Sequence, residues 1–286
     1  MNAWFSANSS GVLVSEITPW GRYVNGGQVF DTVASVGDKS YYFEPAEWGG
    51  TMAFNKWSYS PVRQSWYLSK NDGTVSTFVT PDKYTVNGVQ MYDTVVVAGG
   101  KEYYFEPLSR GGIMAINKWS FNPRENTWYY SKVDGAIQSY VTEKAYIKDK
   151  VQQFDKLLDI NGNKYYFGTV DLNGTLIKGR WAHSISNKQI YYLDENGLLK
   201  ITDVANSANL SKMKVFNEAY KILGAKQYSN EHKQLVIDYN SVRPVPVNYK
   251  VNNSDDWCDV FTTVMFDRAN LSHLIGRECG VERHIN

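Results

Sequence analysis

The sequence predicts a mainly β protein: a repeat solenoid of β-hairpins, followed by a smaller α+β segment. Three observations carry that expectation. The chain matches itself at an offset of 62 residues. Within each copy, short aromatic runs alternate with Gly and Asp-Gly turns. After Asp203 the register stops, and apolar residues take up helical spacing instead.

The repeat fixes the organisation. Tyr41-Tyr42-Phe43 recurs at Tyr103-Tyr104-Phe105 and at Tyr165-Tyr166-Phe167. Trp57 recurs at Trp119 and Trp181, and Trp66-Tyr67 recurs at Trp128-Tyr129, then as Ile190-Tyr191. Asp72-Gly73 recurs at Asp134-Gly135, then as Asn196-Gly197. Between 23–84 and 85–146, 32 of 62 positions are identical, so these two are copies of one unit. The third copy, 147–203, has diverged further. Trp4-Phe5 aligns with Trp66-Tyr67, and Ser10-Gly11 with Asp72-Gly73, so 1–22 reads as the end of an earlier copy. Repeat arrays usually open with a capping unit, and an upstream truncation is therefore expected.

Each copy reads as strands. Lys101 to Phe105 and Asn126 to Ser131 are short aromatic runs suited to a pleated surface. Gly99-Gly100, Gly111-Gly112 and Asp134-Gly135 punctuate them, and Asp-Gly is a strong hairpin signal. Pro45, Pro61, Pro107 and Pro123 fall at run ends, where a missing N–H does least harm. One copy is thus expected to hold about two hairpins. A hairpin cannot bury its own aromatic face, so neighbouring copies should share a core over 1–203.

Composition narrows the function. With 30 basic and 29 acidic side chains, the charge favours neither a nucleic-acid partner nor a polybasic membrane anchor. No apolar run reaches the length of a membrane span. The first residues lack the basic start and apolar stretch of a secretory signal. No cofactor and no metal are expected. The unusual figure is 15% aromatic, with 21 Tyr, 12 Phe and 9 Trp. Aromatic faces stack on sugars and attract cations, so an excess beyond core needs favours a binding surface.

The stretches Y-Y-F-E-P-A-E-W-G-G-T-M-A-F-N-K-W, Y-Y-F-E-P-L-S-R-G-G-I-M-A-I-N-K-W and Y-Y-F-G-T-V-D-L-N-G-T-L-I-K-G-R-W carry a resemblance. They are similar to the cell-wall-binding repeats of the choline-binding and glucan-binding type, over about 200 residues. Those families repeat about every 20 residues, and this unit is 62. The resemblance implies binding of a bacterial cell-wall polymer, either the choline of teichoic acid or a polysaccharide. It also implies a secreted or wall-associated location. A narrow array has little interior, so some aromatics should face grooves. Trp57, Trp66, Tyr67, Trp119, Trp128, Tyr129, Trp181 and Tyr191 are the candidate ligand-binding residues. Weak sites repeated along one polymer gain by avidity.

Beyond Asp203, residues 204–234 read as a polar linker and a helix. Met213, Phe216, Ala219, Tyr220 and Leu223 lie at helical spacing, Ser211 is a candidate cap, and Gly224 a stop. The Pro-rich stretch from Ser241 to Ser254 reads as extended. In S-D-D-W-C-D-V-F, Ser254 or Asp255 is a candidate N-cap, with Trp257, Phe261, Val264 and Met265 on one helical face. Cys258 then falls in the first turn, where free N–H groups and the helix dipole favour a thiolate. A small buried Cys is the competing reading.

That motif resembles the nucleophile helix of CHAP and NlpC/P60-type cysteine peptidoglycan hydrolases. Residues 235–286 would be the start of such a domain, an incomplete α+β papain-like segment with Cys258 as nucleophile. The family's base is a His on a later strand. His284 is the candidate base here, but it and His273 follow Cys258 by only 26 and 15 residues. His183 and His232 precede the Cys and do not fit the family order. Cys279 is a rival thiol, and a Cys258–Cys279 disulfide is compatible with export. The expectation is therefore a wall-targeted peptidoglycan hydrolase, an amidase or endopeptidase, inactive as this fragment. The alternative is a non-enzymatic wall-binding protein. A glucan-synthesising enzyme or a toxin repeat fits less well, because the Cys motif does not belong with those.

Overall fold

The computed structural model describes residues 3–243 and 245–280. It divides into two compact units, Met1–Thr142 with Ile147–Val151, and Glu143–Tyr146 with Gln152–Asn286. The chain is mainly β, built as small antiparallel sheets, with three α-helices near its end among the described residues.

The first unit opens with a four-stranded sheet, Trp4–Ala7, Leu13–Thr18, Gly21–Val24 and Gly27–Val29. A two-stranded hairpin follows, Thr32–Val36 with Lys39–Phe43. A five-stranded meander comes next: Lys56–Ser60, Ser65–Ser69, Val75–Thr80, Lys83–Val86 and Val89–Met91. The next copy repeats the order with the hairpin Thr94–Ala98 and Lys101–Phe105, then Lys118–Asn122, Thr127–Ser131 and Ile137–Val141.

A copy is therefore richer in strands than two hairpins. The additional strands come from dipeptide turns such as Asn87-Gly88, whose φ values of 49° and 83° twist the chain in the sense a tight hairpin needs. Asn25-Gly26 does the same one copy earlier, at 49° and 79°. The ladder also slips at corresponding places, between Leu68 and Ser69 and between Tyr130 and Ser131.

The Tyr-Tyr-Phe phrase has a definite physical job. Alternate strand residues face opposite sides, and here both sides are covered. Tyr41 and Phe43 pack with Ile17, Ala34 and Met52. Tyr42 points the other way, into Ala53 and Tyr67. Its hydroxyl is anchored by the Asp31 carboxylate at 2.7 Å and the Tyr59 carbonyl at 3.1 Å. Tyr104 repeats this with Asp93 and Phe121 at 3.1 and 3.0 Å. Burial, then the hydrogen bond to Asp31, pushes the Tyr42 phenol well above its ordinary pKa, so it remains a donor. Asp31 and Asp93 have φ of 46° and 52°, a backbone region that Asp tolerates better than most side chains.

The second unit carries the hairpin Lys156–Ile160 with Asn163–Phe167, and the three strands Arg180–Ser184, Gln189–Leu193 and Leu199–Val204. Three helices follow: α1 (Ser207–Tyr220), α2 (Asn230–Ser241) and α3 (Cys258–Arg268). Leu235, Val236 and Tyr239 of α2, Val251, and Val260, Val264 and Met265 of α3 form their core. Val215, Ala219 and Ile222 pack on it from the α1 side.

Several local expectations need correction here. Helix α1 begins earlier than the periodicity predicted, because Asn206 caps it by accepting from the Asn209 N–H. The stretch from Ser207 to Ser211 is thus helix rather than linker. Helix α2 was not anticipated, although Ser229 caps it and His232, Leu235, Val236 and Tyr239 form a buried stripe at helical spacing. At α3 neither Ser254 nor Asp255 is the cap. Trp257 holds that position, while Asp255 instead accepts from the Asn252 N–H at 2.8 Å. Among the described residues beyond Val204 there is no strand, so this segment is all-helical rather than α+β. No described helix is long and apolar enough to cross a membrane.

Candidate functional site

The first unit contains a hollow of about 240 Å³ whose wall is partly aromatic. Trp4, Tyr41 and Phe54 line it with Met52, Pro19, Lys39 and Asp72. Each residue arrives from a different element. Trp4 opens the first strand, and Tyr41 lies on the Lys39–Phe43 strand. Met52 bridges to Phe43, and its N–H donates to the Pro19 carbonyl at 3.1 Å. Asp72 comes from the Asp-Gly turn, held against the hairpin by the Tyr41–Thr74 bridge. That turn needs Gly73, which has φ of 84° and lies close under Met52 and Phe54.

The Trp4 and Tyr41 ring centroids are 4.8 Å apart and tilted by 38°. Tyr41 is buried, 2% exposed, and backs the Trp4 ring, so the wall's accessible faces are those of Trp4 and Phe54, with one carboxylate at the rim. Hydrogen bonds from Thr74, first its hydroxyl and then its N–H, hold the Asp72 carboxyl below its usual pKa, so it stays anionic. Lys39 approaches it at 4.0 Å and is half-exposed, a weak and screened pairing. Accessible π-faces with an anionic rim attract a soft organic cation.

One repeat later the corresponding residues are Trp66, Pro81, Lys101, Tyr103, Met114, Ile116 and Asp134. There the Trp66 indole donates to the Tyr103 hydroxyl at 3.0 Å, and Lys101 meets Asp134 at 3.0 Å. Ile116 replaces the Phe54 ring, so the second cradle is less aromatic. A further repeat on, Tyr165 remains, but Leu176, Lys178 and Asn196 replace Met, Phe and Asp.

The eight candidate aromatics fare differently. Trp57 and Trp66 pack beside one another's cluster, against Val79, Val96, Tyr103 and Met114. Trp119 lies against Tyr130 at 5.4 Å, and Trp128 against Phe121 at 5.2 Å. Tyr129 packs on Tyr104 at 5.2 Å and donates to Glu125. Tyr67 and Tyr191 are both buried, Tyr67 stacked on Tyr42 at 4.5 Å and Tyr191 against Tyr166 at 5.1 Å. Trp181 is half-buried and lines a small hollow with Arg180, His183 and Asn217. Helix α1 covers it, with Phe216 stacked at 6.3 Å and 25°.

Sequence reasoning missed Trp4, Tyr41, Met52, Phe54 and Asp72. The signal was the offset of 62, which aligns Trp4 with Trp66, but Trp4 was read as a remnant of a broken copy. Tyr41 differs from Tyr42 only in the face it takes on its strand, which consecutive Tyr residues do not reveal.

At the other end, Cys258 is exposed at the first residue of α3, and Cys279 is partly buried; both are free thiols, so no Cys258–Cys279 disulfide forms. His232 is fully buried in α2, its Nδ1 accepting from the Tyr228 N–H at 3.1 Å. It abuts Trp257 with ring centroids 5.0 Å apart. His273 lies in the short turn Ser272–Leu274, and His183 in the Arg180–Ser184 strand. No hydrogen bond joins Cys258 to any of these three among the described residues. The candidate base His284 lies outside the described residues.

Fold and site together define a tandem array of small antiparallel β-sheets, with an aromatic-lined hollow in the first unit. No family model and no curated protein matches the sequence. Solved structures do overlap it. The choline-binding domain of CbpL from Streptococcus pneumoniae is 24% identical over 63% of this chain and 72% of that one, with a TM-score of 0.26. The autolysin LytC from Streptococcus pneumoniae, in complex with a synthetic peptidoglycan ligand, is 18% identical over 72% of this chain and 48% of its own, at 0.20. Truncated alternansucrase from Leuconostoc mesenteroides is 16% identical over 62% of this chain and 11% of its own, at 0.22. This chain spans less than half of the last two.

Proposed function

We propose that the repeats bind a bacterial cell-wall polymer that carries a quaternary ammonium group, and that they hold the protein at the bacterial surface. The observation that carries this reading is the cradle of Trp4, Tyr41 and Phe54 with the Asp72 carboxylate at its rim. A quaternary ammonium ion has no N–H to satisfy. Accessible ring faces and a nearby anion are therefore what it needs, and the gain is about 0.5–2 kcal/mol per face. One such site is weak, and copies along a polymer combine by avidity.

The test is retention on isolated choline-bearing walls, followed by elution with free choline. Saturable quenching of Trp fluorescence by choline in about the millimolar range is expected. Trp4→Ala and Tyr41→Ala should each weaken it. Binding to walls that choline cannot reverse would shift the reading to a neutral polysaccharide stacked on the same rings.

A second reading extends the first: in a longer parent protein, Cys258 serves as the nucleophile of a peptidoglycan amidase or endopeptidase. Its support is the exposed thiol at the start of α3. The base would have to come from beyond the three described histidines, His183, His232 and His273, none of which is hydrogen-bonded to Cys258 among the described residues. A Cys258→Ser parent that lyses walls as fast as the original would eliminate this reading. For the chain itself, binding is the function the geometry supports.

A further inference from the structure

A larger hollow lies elsewhere, on the first full repeat, and measures about 710 Å³. Tyr67 and Phe78, with rings 5.6 Å apart and edge to face, form part of its floor. Around them stand hydroxyl groups, among them Ser35 and Ser40, whose oxygens are 3.0 Å apart. The charged members of the lining are Arg63, Lys83 and Asp82, an excess of one positive charge. Neither Arg63 nor Lys83 forms an ion pair among the described residues.

The repeat provides an internal control. Sixty-two positions on, the residues matching Ser40, Arg63, Asp82 and Lys83 are Glu102, Glu125, Lys144 and Ala145. The balance inverts to one net negative charge. Val33, Tyr67 and Thr80 are kept as Val95, Tyr129 and Thr142, whereas Ser35, Pro81 and Gly88 become Val97, Glu143 and Lys150. The net positive charge thus belongs to the first repeat's hollow and not to its counterpart.

We infer that the hollow on residues 32–88 is a second subsite of the first repeat, which takes an anionic, hydroxyl-rich chain such as a polyol phosphate or a uronate polymer. Arg63 and Lys83 hold the phosphodiester or carboxylate, with Arg63 able to bind it through two parallel N–H groups. The serine and threonine hydroxyls meet the ligand's own hydroxyls, and the partly exposed Phe78 ring, set edge to face on the buried Tyr67, receives its C–H faces. Asp82 repels a second anion on the Lys83 side, so one charge is accommodated at a time. The subsite is separate from the ammonium cradle in lining residues. It depends on the wall-polymer reading only for the biological source of the ligand.

The experiment uses the full chain, with three oligomers as ligands: polyglycerol phosphate, polygalacturonate and neutral dextran. The variant is Arg63→Glu with Lys83→Ala, which installs the residues the next repeat already carries and so preserves the fold. The parent should bind at least one anionic oligomer at low salt and dextran more weakly. The variant should lose that binding by about tenfold, and the loss should shrink as salt is raised. Whichever anionic oligomer binds identifies phosphate or carboxylate as the group read. Equal binding by parent and variant, no binding of either anion, or equal affinity for dextran would each overturn the inference. Choline quenching at Trp4 should persist in the variant, so failure here is distinguishable from failure of the cradle.

Discussion

The Asn217 side chain is paired reciprocally with the backbone of Trp181: its Oδ1 accepts from the Trp181 N–H at 2.8 Å, and its Nδ2 donates to the Trp181 carbonyl at 3.0 Å. Helix α1 thereby completes the open side of the Arg180–Ser184 strand, as a neighbouring strand would. An unpaired strand edge invites association with other chains. In the second unit, a side-chain amide takes over that role.

Asn217→Ala should therefore expose the Trp181 amide. It removes two hydrogen bonds and leaves partly buried backbone groups unsatisfied, a cost of about 1–3 kcal/mol. Hydrogen exchange at Trp181 should accelerate, and the second unit should unfold at lower denaturant. Unchanged protection at Trp181 would mean that Phe216 packing alone holds the helix.

The Asp155–Tyr166 pair makes stability depend on acid. Tyr166 donates to Asp155 at 2.7 Å, and the Ser186 N–H donates to the other oxygen at 2.7 Å. Burial alone would raise the Asp155 pKa, but the Ser186 N–H, then Ser184, Tyr166 and the Ser186 hydroxyl, outweigh it and hold it below the usual value. A depressed folded pKa stabilises the protein above the unfolded carboxyl value of about 4. That contribution disappears as pH falls through the folded value. Asp155→Asn should lower stability at neutral pH and flatten its dependence below about pH 4, as read by denaturant titrations at several pH values.

Gly99 lies beneath the Trp66 ring with φ of 55°. An added methyl would overlap the indole and strain the backbone, so Gly99→Ala should cost about 1–3 kcal/mol. The Trp66 indole would also lose its bond to Tyr103. A shifted tryptophan emission, together with lower thermal stability, is the expected signature. Gly100→Ala, with open space at its Cβ position, should leave the emission unchanged.

Charge at the ammonium cradle should be measurable separately from its rings. Asp72→Asn keeps the shape and removes the anion. It should weaken choline binding about two- to fivefold at low salt, less at high salt. Trp4→Ala should weaken it at both salt concentrations, because π-attraction and packing are screened far less.

The sequence by itself determined the period, the mainly β character and the aromatic excess. These are local properties: turn dipeptides, β-favouring residues and a repeating phrase are written in consecutive positions. It also placed Cys258 at the start of a helix, because apolar spacing is a local signal as well, although the capping residue it pointed to is not the one used. Only the tertiary structure decided which aromatics are core and which form a cradle. Tyr41 and Tyr42 are neighbours of the same type, and their roles diverge because strand geometry sends them to opposite faces. Tyr42 meets Tyr67 and Asp31, whereas Tyr41 meets Trp4, 37 positions away. Helix α1 over Trp181 is of the same kind, since Asn217 looks like an ordinary polar helix residue until the strand edge that it completes is in view.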